Sequence, residues 1–217
     1  QDQDTADMPY ALQTATAPTH GNLPIMAGTL IDTDAGPKPV EDLQVGDMIR
    51  TKDNGLQPIR WIAARSLDRA ALDADPSLRP IRIKAGALGP SKPARDLVVS
   101  PQHRVLLDDW RCELLFGEDE MLAPARALLN DSSILVDHDA REVTYYHFMF
   151  DRHEIVYSNG AETESFHPAA GGVEALDVAA RDELYRLFPQ LEADFDRYGP
   201  PARASLRPYE VDVLLAM

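Results

Sequence analysis

The 217-residue chain contains a single cysteine, Cys112. One cysteine excludes a disulfide within the chain and a zinc site built from several thiolates, and it assigns no cellular compartment. Long hydrophobic runs are also missing, because no stretch reaches the roughly 18 apolar residues that a membrane-spanning helix requires. We therefore predict that no segment inserts into a membrane.

Basic residues are scarce: 21 Lys and Arg stand against 36 Asp and Glu, and the formal net charge is −15. A charge of this sign repels nucleic acid unless basic side chains gather in one patch, and the sequence shows no such patch. We therefore do not expect a nucleic-acid partner. The proportions of hydrophobic residues (44%) and charged residues (26%) are those of a folded protein.

The distribution of turn residues predicts a mainly β body. Seventeen prolines and twelve glycines are spread along the chain, which favours many short elements joined by turns. We predict three regions: a flexible, acidic arm over residues 1–22, a β domain over 23–168, and a helical C-terminal extension over 169–217.

The region after Gly172 changes from strand-like to helical spacing. Apolar residues recur there every three or four positions, which predicts one face of an amphipathic helix that packs on the β body. Pro189 lies inside this pattern and predicts its end or a kink. The residues of this face are Val173, Leu176, Ala180, Leu184, Leu187 and Leu191. Earlier in the chain, "DEMLAPARALLN" also has a short helical pattern, interrupted by Pro124. The stretch "HEIVYSNGAETESF" predicts a strand, an Asn-Gly turn and a second strand.

The stretch "VVSPQHRVLL", from Val98 to Leu107, places a proline inside a strand-like apolar run. Residues three apart on a straight strand point to opposite faces, so Ser100 and His103 share a site only if the chain bends between them. Pro101 can supply that bend. The pair then fits either a plain strand corner or a catalytic site.

Three stretches, taken in order, resemble the sequence blocks of hedgehog/intein (Hint) domains. "GTLIDTDAGPKPVEDLQVGDMIRT" resembles the opening block, and "VVSPQHRVLL" resembles the second block, which usually contains Thr-x-x-His. "YYHFMFDRHEIVYSNGAETESF" resembles the late block, and its "FDRHE" and "ESF" are most similar to a bacterial Hint subfamily. The resemblance covers residues 23–168 and implies the horseshoe-like β fold of twisted strands.

The resemblance also implies a chemistry, protein autoprocessing or splicing. In active members a cysteine at the start of the domain attacks the preceding peptide carbonyl, while the Thr and His of the second block activate the amide. Ser100 and His103 match these two positions. In the late block, His153 matches the family's histidine, and either Asp151 or His147 takes the acidic position.

The nucleophile of active members has no counterpart in this chain. Counting back from Gly28, its position is held by Pro24, or by Ile25 if one residue is gapped, and no Cys, Ser or Thr occurs from Leu23 to Gly28. The closing Asn of splicing inteins is also missing, since the matching stretch is "TESFHP". The vestigial site that we expect comprises Ser100, His103, His147, Asp151 and His153.

From these residues we expect a degenerate Hint domain that serves as a structural or interaction module. We expect no cofactor and no resident metal. The expected partner is flanking polypeptide, from its own precursor or from another protein.

Three other hypotheses stay open at this point. The first is residual self-cleavage near Leu23 by water or another nucleophile, with His103 activating the amide. The second is a serine hydrolase with Ser100 as nucleophile, His103 as base and Asp151 as orienting acid, although no "GxSxG" motif is present. The third is a zinc hydrolase, although the sequence lacks "HxH" and "HExxH". Its candidate ligands are His103, His147, His153 and His138.

Overall fold

The computed structural model describes residues 25–168, 173 and 176–217. The predicted arm (1–22), the nucleophile position Pro24 and the first residues of the predicted extension (169–172) lie outside the described residues. Within them the chain forms two antiparallel sheets followed by a helical C-terminal region. This confirms the prediction of a mainly β fold with a helical extension.

Fourteen strands occur within the described residues, and each spans two to seven residues. Their shortness follows from the Pro and Gly residues that interrupt the chain. The strands are β1 (Ile25–Met26), β2 (Leu30–Thr33), β3 (Gly36–Pro39), β4 (Met48–Arg50), β5 (Leu56–Pro58), β6 (Trp61–Leu67), β7 (Ile81–Ile83), β8 (Leu97–Val99), β9 (Arg104–Asp108), β10 (Glu120–Pro124), β11 (Ile134–Val136), β12 (Val143–Met149), β13 (Ile155–Ser158) and β14 (Ala161–Glu164).

The strands pair in an order that brings the start of the domain to its centre. One sheet has the order β11-β7-β8-β1-β12-β6, and the other has the order β10-β9-β14-β13-β2-β4-β5 with β3 paired to β2. The short strand β1 is therefore enclosed on both sides, since Ile25 pairs with both Val99 and Tyr146. At the other end of the second sheet, β10 is the last strand of its path.

A proline turn carries the chain from one sheet to the other. The Ser100 carbonyl accepts a hydrogen bond from the His103 N–H at 3.1 Å, so residues 100–103 form a β-turn with Pro101 in its second position. The strand before this turn, β8, belongs to the first sheet, and the strand after it, β9, belongs to the second. The expected bend is present, and it places Ser100 and His103 where the two sheets meet.

A hairpin with a two-residue turn sets the register of β14, the strand that ends at Glu164. Asn159 and Gly160 adopt φ angles of 48° and 83°, the left-handed pair that an Asn-Gly turn favours. Ser158 consequently pairs with Ala161, and the register continues to Ile155 opposite Glu164. The hairpin predicted from the sequence thus determines where Glu164 lies.

Five helices occur in the described residues: α1 (Arg69–Ala74), α2 (Trp110–Phe116), α3 (Val178–Leu187), α4 (Gln190–Ala193) and α5 (Pro208–Leu215). The carboxylate of Asp177 caps α3 by accepting the Ala180 N–H, so the helix starts later than its apolar pattern. Pro189 separates α3 from α4, as predicted. Among the described residues no helix combines the length and the apolar character needed to cross a bilayer.

Two expectations about helices differ from the structure. Val173 and Leu176 of the predicted apolar face precede α3, although both are buried. The stretch around Pro124 forms β10 and a 3₁₀ turn (Ala125–Leu128) because its backbone pairs with β9. Tertiary pairing overrides the local helical pattern there.

The C-terminal helices pack on the β body through a shared hydrophobic cluster. Trp61, Met149 and Phe166 of the body contact Leu184 and Leu191 of α3 and α4. The extension therefore completes a core that the sheets leave open on this side.

We predict that Leu184→Ala lowers the free energy of unfolding by about 2–5 kcal/mol, because the side chain is 0% exposed and leaves a cavity against the β body. Leu187→Ala is the matched control, since Leu187 lies on the same helix and is 50% exposed. Its effect should stay within about 0.5 kcal/mol. Urea unfolding of both variants measures the difference, and equal losses would contradict the packing described here.

Candidate functional site

Three of the predicted site residues meet at the N-terminal end of β1. Ile25 lies between Val99 and Tyr146, and the residues that follow these two are Ser100 and His147. His103 ends the turn that begins at Ser100. It lies close enough to His147 for its charged form to lower the pKa of His147. Neighbouring strands and one turn thus bring together residues that are far apart in the sequence.

The polar atoms of this group are buried and lack partners among the described residues. They are Ser100 Oγ, His103 Nε2, both ring nitrogens of His147, and Trp61 Nε1. Phe166 closes the group on one side, with its ring edge-on to His147 at 5.2 Å and tilted against Trp61 at 5.4 Å. Buried polar groups are nearly always hydrogen-bonded, so a cluster of this kind indicates a site that can hydrogen-bond the polar groups of a bound molecule or peptide.

Burial keeps both histidines of this group neutral at pH 7. It lowers the pKa of His103 to about 4, and the neighbouring Arg104 and His153 lower it further while Glu164 opposes them. Burial also lowers the pKa of His147 to about 3, together with the charges of Arg65 and His103. A neutral imidazole offers one N–H donor and one acceptor. Each ring can therefore donate to a carbonyl or accept from an amide.

A buried carboxylate, Glu164, lies next to this group at the end of β14. Its Oε1 accepts the backbone N–H of Arg104 at 3.1 Å, and the Arg104 guanidinium contacts both oxygens at 3.3–3.4 Å. Burial alone would raise the pKa of Glu164, but the hydrogen bond from His153 and the charge of Arg104 lower it to about 2. Glu164 is therefore a charge held inside the protein by specific partners.

His153 connects this carboxylate to the C-terminal extension. Its Nδ1 accepts the Ala202 backbone N–H at 3.0 Å, so the ring proton lies on Nε2. From there it points to the Ser165 carbonyl at 3.0 Å and to Glu164 Oε2 at 3.4 Å. His153 thus lies between Glu164 and the C-terminal extension.

Asp151 is not brought to the buried groups. It lies on the surface, 57% exposed in its side chain, where the guanidinium of Arg60 holds it through contacts of 2.9–3.1 Å. His147, which the sequence offered as the other candidate for this position, is buried beside His103. Of the five predicted site residues, the structure gathers four and leaves Asp151 outside.

The serine hydrolase and zinc hydrolase hypotheses find no matching geometry. Ser100 Oγ has no hydrogen bond to His103 among the described residues, and the proposed orienting acid Asp151 lies on the surface. His138 is exposed, and its backbone carbonyl accepts a hydrogen bond from Arg79. In residues 25–168, 173 and 176–217, no three His, Cys, Asp or Glu side chains form a group that could hold a metal ion.

The cysteine lies in a different part of the molecule. Cys112 of α2 is fully buried in the hydrophobic cluster that contains Val105 and Leu214. Burial raises the pKa of its thiol, with the charge of Asp109 acting in the same direction. A protonated thiol in this cluster is a packing group and not a nucleophile of the site.

Sequence reasoning missed Glu164, Arg104 and His167. Arg104 lies in "HRVLL" of the second block, and Glu164 and His167 lie in "TESFHP". The sequence alone does not show that these stretches converge. One signal was available: the Asn-Gly turn predicts a strand here, and in a strand Glu162 and Glu164 lie on one face while Thr163 lies on the other. All four residues of that strand are buried.

Comparisons with known proteins agree with the architecture. The sequence model of a family described as "Hint domain" matches residues 24–170, which is more than half of the chain. No curated protein sequence matches this chain significantly.

Several solved structures are similar in fold. An intein-like domain from Clostridium thermocellum is 11% identical with a TM-score of 0.43, and the match covers 66% of this chain and 99% of that domain. The gp41-1 intein is 15% identical (TM-score 0.40; 64% and 97% covered). A splice-inactive variant of the AceL NrdHF class 3 split intein is 14% identical (TM-score 0.42; 66% and 97% covered).

We predict that the free energy of unfolding falls as the pH is lowered from about 6.5 to 4. An unfolded His titrates near 6.5, whereas His103 and His147 have pKa values of about 4 and 3 in the folded chain. The unfolded chain therefore binds more protons in this range, and acid favours it. Glu164, with a pKa of about 2, adds a further loss below about pH 4.5.

Urea unfolding at several pH values, with His147→Gln beside the wild type, measures this effect. Removing one such histidine should reduce the slope by about 1.4 kcal/mol per pH unit between pH 6 and 4. His138→Gln is the control, because it makes the same substitution at an exposed position. An unchanged slope in His147→Gln would contradict a neutral, buried His147.

Proposed function

The chain belongs to the Hint domain family, and on this premise we propose that it is a degenerate member, which does not splice and serves as a structural or interaction module attached to other protein. The observation that carries the proposal is the absence of an acyl acceptor at the start of the domain. Residues 23–28 contain no thiol or hydroxyl. An acyl shift needs such a group to accept the carbonyl carbon.

The surroundings of β1 support this proposal. Ile25 is 1% exposed and packs with Ile31 and Val40, so its side chain belongs to the hydrophobic core. Cys112 is buried in another cluster, and Ser100 Oγ has no bond to a base among the described residues. Without an activated nucleophile, water would have to attack a peptide amide directly, which is a slow reaction.

The end of the domain supports the same proposal. The stretch 163–168 contains no Asn that could cyclise to release a downstream segment. Its polar side chains have structural partners: Ser165 Oγ accepts the Glu154 N–H at 3.0 Å, and Thr163 Oγ1 is 2.7 Å from Ser158 Oγ. The partner that we propose is flanking polypeptide, of its own precursor or of another protein.

Residual self-cleavage near Leu23 is the second candidate, and one observation favours it. Polar atoms of Ser100, His103 and His147, which have no partner among the described residues, surround the N-terminal end of β1, where the preceding peptide bond would be activated. In this case His103 would donate its proton to the departing nitrogen while water attacks the carbonyl carbon. A single experiment separates the two candidates.

We predict that a reporter protein fused before Gln1 stays attached. Intact-mass spectrometry follows the fusion at pH 7 over a day, with and without hydroxylamine and a thiol, beside the His103→Ala fusion. Both fusions should keep their full mass, since neither has a nucleophile that forms a thioester. A cut near Leu23 in the wild type that His103→Ala abolishes would replace the module proposal with self-cleavage.

A further inference from the structure

The segment of residues 198–206, here called the crossing segment, leaves a 3₁₀ turn at Tyr198 and, at its other end, pairs with the β body as an extended strand at Ser205. The Leu122 N–H donates to the Ala204 carbonyl at 2.8 Å, and the Leu206 N–H donates to the Leu122 carbonyl at 2.7 Å. Ser205 therefore pairs in parallel with Leu122 on β10, the last strand of its sheet path. Adding a strand to an exposed sheet edge is a common mode of peptide recognition.

Two buried imidazoles bind the backbone of the same segment. His153 Nδ1 accepts the Ala202 N–H at 3.0 Å, and His167 Nε2 lies 3.1 Å from the Gly199 carbonyl. The two rings meet edge-on with centroids 4.9 Å apart. These contacts involve peptide groups and not side chains of the segment, so another polypeptide backbone could make them.

Three side chains anchor the crossing segment. Tyr198 is buried and donates its hydroxyl to the Phe150 carbonyl at 2.9 Å, while Leu206 is buried in the hydrophobic core. Between them, the Arg203 guanidinium reaches two carboxylates, Glu120 and Asp53, each at 2.8 Å. Buried tyrosine and arginine anchors of this kind are the residue types that most often carry the energy of a binding interface.

The crossing segment does not fill the space in which it lies. A cleft of about 380 Å³ remains between Arg104 and Glu164 on the body side and Gly199, Pro200 and Pro201 on the segment side. Glycine has no side chain, and the two prolines offer no backbone N–H to the body. A polypeptide with larger side chains at these positions would bury more surface at the same backbone contacts.

We propose that the edge of β10 and the His153–His167 pair form a polypeptide-binding groove, which residues 198–206 occupy in cis. In trans it takes an extended segment of a partner polypeptide that carries an arginine and, three residues later, a leucine. The acidic pair of Asp53 and Glu120 selects the arginine through charge-assisted, bidentate hydrogen bonds. This inference rests on the proposed function as an interaction module and names its partner class.

A fluorescent synthetic peptide of residues 198–206 tests the groove on the full-length chain by anisotropy. In the wild type the tethered segment competes at a high effective concentration, so little binding is expected. Arg203→Ala removes the anchor from the tethered segment but not from the peptide, and should bind the peptide at least tenfold more tightly. A peptide with alanine in place of its arginine should lose this gain.

The matched control is Arg197→Ala, because Arg197 is exposed and contacts only Asp194, at 3.9 Å, among the described residues. It should bind the peptide as the wild type does. Circular dichroism checks that Arg203→Ala is folded; if it is not, the comparison is made with Arg203→Lys, which keeps the charge but loses the bidentate geometry. Hydrogen exchange of the amides of residues 202–206 reports whether the tethered segment opens.

Two results would overturn the groove. One is equal peptide binding to wild type and variant, with no dependence on the arginine of the peptide. The other is faster hydrogen exchange at the amides of residues 202–206 in Arg203→Ala without any binding of the peptide. The tethered segment would then have left the groove, and the peptide would still not bind there. Either result leaves the module proposal intact if the reporter fusion stays at full mass, whereas cleavage of the fusion overturns that proposal whatever the peptide does.

Discussion

The site is assembled around one buried charge, the carboxylate of Glu164. Burial would raise its pKa, and its ionised form is stable only because His153 and Arg104 contact it and lower the pKa to about 2. These partners come from β9 and from the loop before β13. Through the opposite nitrogen of His153, the same contact reaches Ala202 of the extension. One charge therefore ties two strands and the C-terminal segment into a single arrangement.

Next to this charge, at the end of β1, lies a group of hydrogen-bonding side chains, and residues 23–28 contain no thiol or hydroxyl. Ser100, His103 and His147 are buried, and the two histidines have lowered pKa values. Ser100 Oγ, His103 Nε2 and both ring nitrogens of His147 have no partner among the described residues, and a buried polar group without a partner destabilises a fold by about 1–3 kcal/mol. The fold of the family is therefore present in a chain whose residues 23–28 contain no thiol or hydroxyl.

The sequence was most informative where a local rule decides the backbone. Pro101 predicted the turn between the sheets, Asn159-Gly160 predicted the hairpin, and Pro189 predicted the end of α3. Local patterns failed where tertiary contacts dominate: the helical spacing around Pro124 gave way to pairing with β9.

The residues of the site were predictable only in part, for a physical reason. Ser100, His103, His147 and His153 follow from the family blocks, whereas a glutamate on a short strand is usually solvent-exposed. The burial of Glu164 depends on Arg104 and His153, which approach it from other parts of the fold. Asp151 stood beside His153 in the sequence, yet it pairs with Arg60 at the surface because the chain turns between them.

We propose that the site retains the side chains for the first acyl shift and lacks the acyl acceptor of that step, and the variant Pro24→Cys in the reporter fusion tests this proposal. The introduced thiolate would attack the Leu23 carbonyl carbon, the Leu23 C–N bond would break, and His103 would protonate the leaving nitrogen. We expect hydroxylamine to release the reporter from the Pro24→Cys fusion, and we expect no release when His103→Ala is added. A Pro24→Cys fusion that is folded and stays at full mass would show that the site has lost more than its acyl acceptor.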